Sequence, residues 1–134
     1  VRLVTYMGRL SGMPKTDAMQ RAHDVLRFVG LEESRYRTVD TYSSGMMQRV
    51  KLAQALVHDP ELIIFDEPTT GMDPKGRTEM LKLLKDVSRI PGKSIIMSSH
   101  LLGDIEYVCG RLDQREGIIL NVSPLLTVAG SLEG

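Results

Sequence analysis

The amino-acid order predicts an α/β protein in which a helical subdomain precedes part of a parallel sheet. Three observations carry this. Through the first sixty residues apolar side chains recur at helical spacing, as in Met19, Ala22, Val25, Leu26 and Val29. Beyond them stand two short apolar runs, "ELIIF" and "SIIMSS", of the kind fully buried parallel strands show. A helical stretch separates these runs, so helices come first and β-α-β alternation follows. The expected division is residues 1–60 as the helical subdomain, 61–122 as a partial α/β core and 123–134 as a C-terminal tail.

Each element has its own signals. Arg2 to Leu10 reads as a helix ended by "SGMP", with Gly12 and Pro14 as breakers. Thr16 or Asp17 is placed to cap the second helix, and Gly30 to close it. A third helix launches near Gly45 and runs to about His58, where Asp59-Pro60 stops it. After "ELIIF", Lys75 to about Ser88 looks helical, with Met80, Leu83, Leu84 and Val87 at helical spacing. "SIIMSS" leads into a short helix over Leu101 to Val108, and "GIILNV" is a third strand candidate. Repeats and low-complexity linkers are absent from the sequence.

Bulk properties narrow the function. The chain has 134 residues, enough for one modest core. Seventeen basic residues cancel seventeen acidic ones, which removes the electrostatic reason to expect a nucleic-acid binder. Cys109 is the only cysteine, so no disulfide framework exists and a reducing cytoplasm is the natural compartment. Apolar runs such as "LIIF" fall far short of the roughly 20 residues a membrane helix needs, so any membrane role must come through a partner. "VRLVTYMGRL" has neither a signal core nor an initiating methionine, and reads as the inside of a longer frame.

Four stretches carry chemistry. In "YSSGMMQRVKLAQAL", Tyr42 to Leu56, a Ser-Ser-Gly turn runs into a helix whose exposed amides and dipole suit an anion. In "LIIFDEP", Asp66 and Glu67 sit at the carboxyl end of a strand, where open α/β sheets bind ligands. Two acids there suit divided labour, one holding Mg²⁺ and the other activating a water, although solvated charges also end many strands. "TTGMDPKGR" reads as a loop that caps the next helix with Asp73 and places Pro74 in its first turn. His100, at the end of the next strand, taken alone fits a structural hydrogen-bonder better than a catalyst.

Order and spacing join these stretches. Ser43 lies 23 positions before Asp66, Asp73 lies 7 after it and His100 lies 34 after it. This resembles the C-terminal portion of the nucleotide-binding domain of ATP-binding cassette (ABC) transporters. "YSSGM" stands at the family's LSGGQ signature, "MQRVKLAQALVHDPELIIFDEPTTGMDP" runs on through the Walker B strand and D-loop, and "MSSH" stands at the switch histidine. The resemblance extends from about Leu3 to Val108. It implies an incomplete P-loop NTPase core with ATP and Mg²⁺ as cofactors. Asp66 would be the magnesium-side acid, acting through water, and Glu67 the catalytic base. His100 would contact the γ-phosphate. Ser43, Ser44, Gly45 and Met46 would bind, in trans, the nucleotide of a second subunit, and Gly71, Met72 and Asp73 would form the D-loop.

The implied function is an ATP-hydrolysing subunit of an ABC transporter, of export type. Its partners would be a second nucleotide-binding domain, in a homo- or heterodimer, and a transmembrane permease, without nucleic acid. It would lie on the cytoplasmic face of a membrane through that permease. Two other readings stand beside this one. One is a truncated module that donates a signature surface and does not hydrolyse ATP. The other is a non-transport ABC ATPase, whose translation-associated branch reads "DEPTNHLD" where this chain has "DEPTTGMD".

The chain departs from the family pattern in places. It contains no G-x-x-x-x-G-K-[ST] Walker A loop. "GMPKT" (Gly12 to Thr16) has the wrong glycine–lysine spacing and a proline in place of an amide donor, and "PGKS" (Pro91 to Ser94) precedes a strand instead of a helix. Ser44 replaces the signature's first glycine and Met46 its glutamine. "GRLDQREG", after Cys109, is polar where the family continues with an apolar strand. Strands lacking neighbours predict self-association of the isolated chain.

Overall fold

The computed structural model describes residues 1–109, 119–123 and 125–129, with side chains through Val108. The chain divides into two compact units, Val1–Pro60 and Glu61–Gly134.

The first unit holds α1 (Arg2–Leu10), α2 (Lys15–Phe28), a short 3₁₀ turn (Val39–Thr41) and α3 (Ser44–Leu56). Gly8 lets α1 approach α2 closely, because a Cβ there would lie 3.2 Å from Ala18 Cβ. The start of α2 differs from the expectation. Pro14, extended at φ −56° and ψ 150°, precedes the first turn, while Thr16 and Asp17 lie inside it. Proline's fixed φ sets this entry without a side-chain cap, and Asp17 complements the helix dipole instead. The buried stripe is Ala18, Ala22, Val25, Leu26 and Val29, leaving Met19 exposed. Met19 is one position, about 100°, around the helix from Ala18 and so faces solvent.

Gly30 closes α2 as expected, in the left-handed region at φ +79°. Its N–H reaches Arg27 O (3.0 Å) and the Leu31 N–H reaches Leu26 O (2.8 Å), the paired bonds of a Schellman motif, with Leu26 and Leu31 both buried. α3 stops two residues short of His58. Asp59 takes the left-handed turn there (φ +53°), a role a short polar side chain tolerates, and Pro60 follows.

The second unit holds β1 (Leu62–Asp66), α4 (Pro74–Ser88), β2 (Ser94–Ser98), α5 (Leu102–Cys109), β3 (Ile119–Ser123) and β4 (Leu125–Ala129). The described sheet has the order β1-β2-β3-β4. β1 and β2 are parallel over five residue pairs, Leu62 opposite Ser94 through Asp66 opposite Ser98. β3 joins β2 in parallel at Leu120 opposite Ser98, and β4 returns antiparallel to β3. The four strands make the α/β, parallel-sheet class expected from the sequence. Residues 125–129, read as tail, form β4, since "LLTVA" is rich in strand formers and one residue separates it from its partner. "GRLDQREG" lies outside the described residues.

β1 is not buried on both faces. Ile63 and Phe65 are inward, but Leu62 and Ile64 are 51% and 67% exposed. An apolar run therefore indicates the strand without showing that, among the described residues, only one face is covered. α4 buries Met80, Leu81, Leu84 and Val87, with Leu83 only half-buried, and α5 buries Ile105 and Val108.

Candidate functional site

Because β1 and β2 run parallel in register, both deliver their last residues to the same end of the sheet. Asp66 stands opposite Ser98. The Ser98 hydroxyl donates to Asp66 Oδ1 at 2.5 Å. It also accepts, at 3.0 Å, from the Glu67 N–H, which bonds the Ser98 carbonyl at 3.1 Å as well. One hydroxyl thus fixes the side chain of one acid and the backbone of the next.

Glu67 then leaves the strand with φ +49°. A left-handed conformation costs a non-glycine residue about 1–2 kcal/mol. It persists where surrounding bonds over-determine it, which the two Ser98 contacts do. The turn directs the Glu67 carboxylate to His100, whose Nδ1 lies 2.9 Å from Glu67 Oε2. A carboxylate only accepts, so Nδ1 carries the proton in this pair. The Glu67 side chain is 25% exposed and His100 59%, which leaves both reachable by a substrate. Asp66, Glu67 and His100 are thus brought together. Ser98 was not foreseen, because its part depends on a register that only the paired strands reveal.

The following loop is held from several sides. Thr70 N–H bonds Glu67 O and Met72 N–H bonds Thr69 O, both at 3.2 Å, with Gly71 at φ +76° supplying the left-handed residue. Asp73 caps α4 as expected, accepting from the Gly76 N–H at 2.9 Å, with Pro74 in the first turn. A Cβ on Gly76 would fall 2.7 Å from Asp73 Oδ1, so glycine is what lets the cap close. Thr69 Oγ1 donates to Asp104 Oδ2 at 2.9 Å. Asp104 is fully buried, and its Oδ1 accepts from Arg77 Nε at 2.8 Å and from Arg77 Nη2. That hydrogen bonding holds the Arg77 guanidinium above its ordinary pKa.

In the helical unit, Ser43 caps α3 by accepting from the Met46 N–H at 3.2 Å. Ser44 and Gly45 occupy the first two helical positions, where amides have no acceptor within the helix. The first turn carries no acidic residue, and Ser43 and Ser44 are exposed. Of the four residues expected to receive phosphate, Met46 already has its N–H engaged. Upstream, the Tyr42 hydroxyl donates to Ser34 O at 2.5 Å and ties down the approach to the turn.

The donor set at the strand ends is hard oxygen, which suits Mg²⁺. Among the described residues no group of three His, Cys, Asp or Glu side chains could hold a metal alone. Such a set fits a cation that takes one carboxylate and completes its shell with substrate phosphates and water. Neither imitation of a phosphate cradle is one. Gly12 to Thr16 connects α1 to α2 through Pro14, and Pro91 to Lys93 turns α4 into a strand. No described helix is long and apolar enough to cross a membrane.

The ABC transporter family matches this chain over residues 5–70. The uncharacterized ABC transporter ATP-binding protein YxlF of Bacillus subtilis (strain 168) is 39% identical over 109 residues, covering 81% of this chain and 36% of that one. The linearmycin resistance ATP-binding protein LnrL of the same organism is 37% identical over 118 residues, covering 86% and 38%. The chain thus spans little more than a third of the length of these relatives. Among solved structures, the dimeric bacterial ABC transporter cassette MJ0796 superposes with a TM-score of 0.64 at 26% identity, covering 81% of this chain and 44% of that one.

Proposed function

The chain belongs to the ABC transporter family, and from that premise we propose that it is the signature and Walker B portion of an ATPase cassette that drives a membrane permease. The observation that carries this is the Glu67–His100 pair, 2.9 Å apart beside a serine-fixed Asp66 at the ends of two parallel strands. Glu67 takes the proton from the water that attacks the γ-phosphate of ATP. His100 holds the Glu67 carboxylate in place and turns its remaining ring edge to the phosphate. Positioned general-base catalysis of this kind contributes about 10²–10⁴-fold. Asp66 would hold Mg²⁺, which when bound neutralises charge on the β- and γ-phosphates.

The amides at Ser44 and Gly45, beside the Ser43 cap, receive the γ-phosphate of a nucleotide held by a second cassette. With the Met46 N–H engaged by that cap, the amides at Ser44 and Gly45 are the main donors at the turn. The dimeric state of MJ0796 supports a paired arrangement. Gly71, Met72 and Asp73 form the loop that links the two sites. Because the Asp73 carboxylate caps α4, this loop acts through its backbone shape. The cassette works at the cytoplasmic face of a membrane through its permease. We favour export, the type that "YSSGM" together with "DEPTTGMDP" most resembles.

The test is steady-state ATP hydrolysis and nucleotide binding by the full-length protein. Glu67→Gln should retain ATP, stall turnover and accumulate a dimer on size exclusion. Turnover by that variant at the wild-type rate would remove Glu67 from the role of base.

A further inference from the structure

Asp104 is fully buried, yet neither the hydrolytic reading nor the packing of α5 requires a charge there. An apolar side chain would pack α5 on α4 without the desolvation cost of a buried carboxylate. Both oxygens of Asp104 are used, Oδ2 by the Thr69 hydroxyl and Oδ1 by the Arg77 guanidinium. The placement of these partners is specific. Thr69 is two residues beyond Glu67, Arg77 stands in the first turn of α4 after the 67–73 loop, and Asp104 is four residues beyond His100.

A single carboxylate therefore clamps the segment that carries Glu67 to the segment that carries His100. The two segments come from different strands and otherwise meet through the sheet, the packing of α4 on α5 and the Glu67–His100 contact. Glu67 also sits in a left-handed conformation that relaxes unless its surroundings hold it. We propose that Asp104, through Thr69 and Arg77, is a positioning residue that keeps the Glu67 carboxylate and the His100 ring in register for proton abstraction. It touches no reacting atom. The inference rests on the reading of Glu67 and His100 as the hydrolytic pair.

The experiment measures kcat, KM for ATP and the thermal midpoint of full-length wild type, Glu67→Gln, Asp104→Asn, Thr69→Val and Thr69→Ser. Thr69→Val removes the hydroxyl at nearly constant volume and leaves the Asp104–Arg77 pair in place. Asp104→Asn and Thr69→Val should each lower kcat about tenfold or more while KM stays within about twofold, because misorientation acts on the transition state and not on ATP binding. Thr69→Ser, which restores the donor, should return kcat to near wild type. If Asp104→Asn fails to fold, the Thr69 pair decides alone. Wild-type kcat in Thr69→Val, or a loss that Thr69→Ser does not rescue, overturns the proposal. If those variants turn over normally while Glu67→Gln is stalled, the clamp alone is wrong. Normal turnover in Glu67→Gln would instead remove the hydrolytic reading and the clamp with it.

Discussion

The turn at Ser43–Gly45 and the cluster at Asp66–His100 are both suited to a phosphate, but they are built by opposite means. At the turn, the cap spans three residues, Ser43 to Met46, and the groups left free are backbone amides. At the cluster, the organising bonds span 31 to 33 residues, from Ser98 to Glu67 and Asp66 and from His100 to Glu67, and the free groups are side chains. A local device needs only its own helix, whereas the cluster exists only while two strands keep their register. The turn should thus tolerate change as a helix does, in tenths of a kcal/mol to about 1 kcal/mol, and the cluster should fail more steeply.

Substitutions sharpen that contrast. The largest effect belongs to Glu67→Gln, with a fall in kcat of about 10²–10⁴-fold and unchanged ATP affinity. Next is Ser98→Ala, which frees the Asp66 carboxylate and removes one acceptor of the Glu67 N–H. Loss of a hydrogen bond to a charged group, about 1.5–3 kcal/mol, should lower kcat by about tenfold or more and raise the Mg²⁺ needed for half-maximal rate. A Mg²⁺ titration of the variant checks this. An unchanged Mg²⁺ requirement would mean that Ser98 serves the strand pair only.

Small substitutions in the helical unit that leave the Ser44 and Gly45 amides open should have smaller effects, and these should fall on stability. Gly30→Ala forces a Cβ into the left-handed region at φ +79°, costing about 1–2 kcal/mol in chemical denaturation. Its Cβ would also meet Arg49 Nη1 at 2.7 Å, so that tip must shift from its bond to the Val29 carbonyl. Smallest is the cap itself. Ser43→Ala should cost about 1 kcal/mol, and Ser43→Gly only a few tenths. If Gly30→Ala lowered kcat as much as Ser98→Ala does, the division between local and long-range devices would collapse.

The same division explains what was legible in the sequence. Gly30 and Asp73 announce helix ends by residue type within a few positions, and the structure places each at the end of a helix. The parallel strands were legible as apolar runs, but not their burial. Leu62 and Ile64 look as inward as Ile63 until the sheet shows one covered face. Pro14 reads in the sequence as a breaker alone, because Thr16 and Asp17 are the better-known cap types. Ser98 and the Thr69–Asp104–Arg77 bonds were invisible for one physical reason. Their partners lie 27 to 35 residues away, and no propensity or spacing rule reaches that far.

The most direct test mixes two inactive forms of a full-length protein that hydrolyses ATP on its own. One carries Ser43→Arg, which blocks the turn. The other carries Glu67→Gln, which removes the proposed base. If the turn of one copy completes the cluster of another, a mixed dimer contains one intact site, and turnover should reappear on mixing although neither variant is active alone. Mixing that leaves hydrolysis at the level of the separate variants would contradict a site shared between two cassettes.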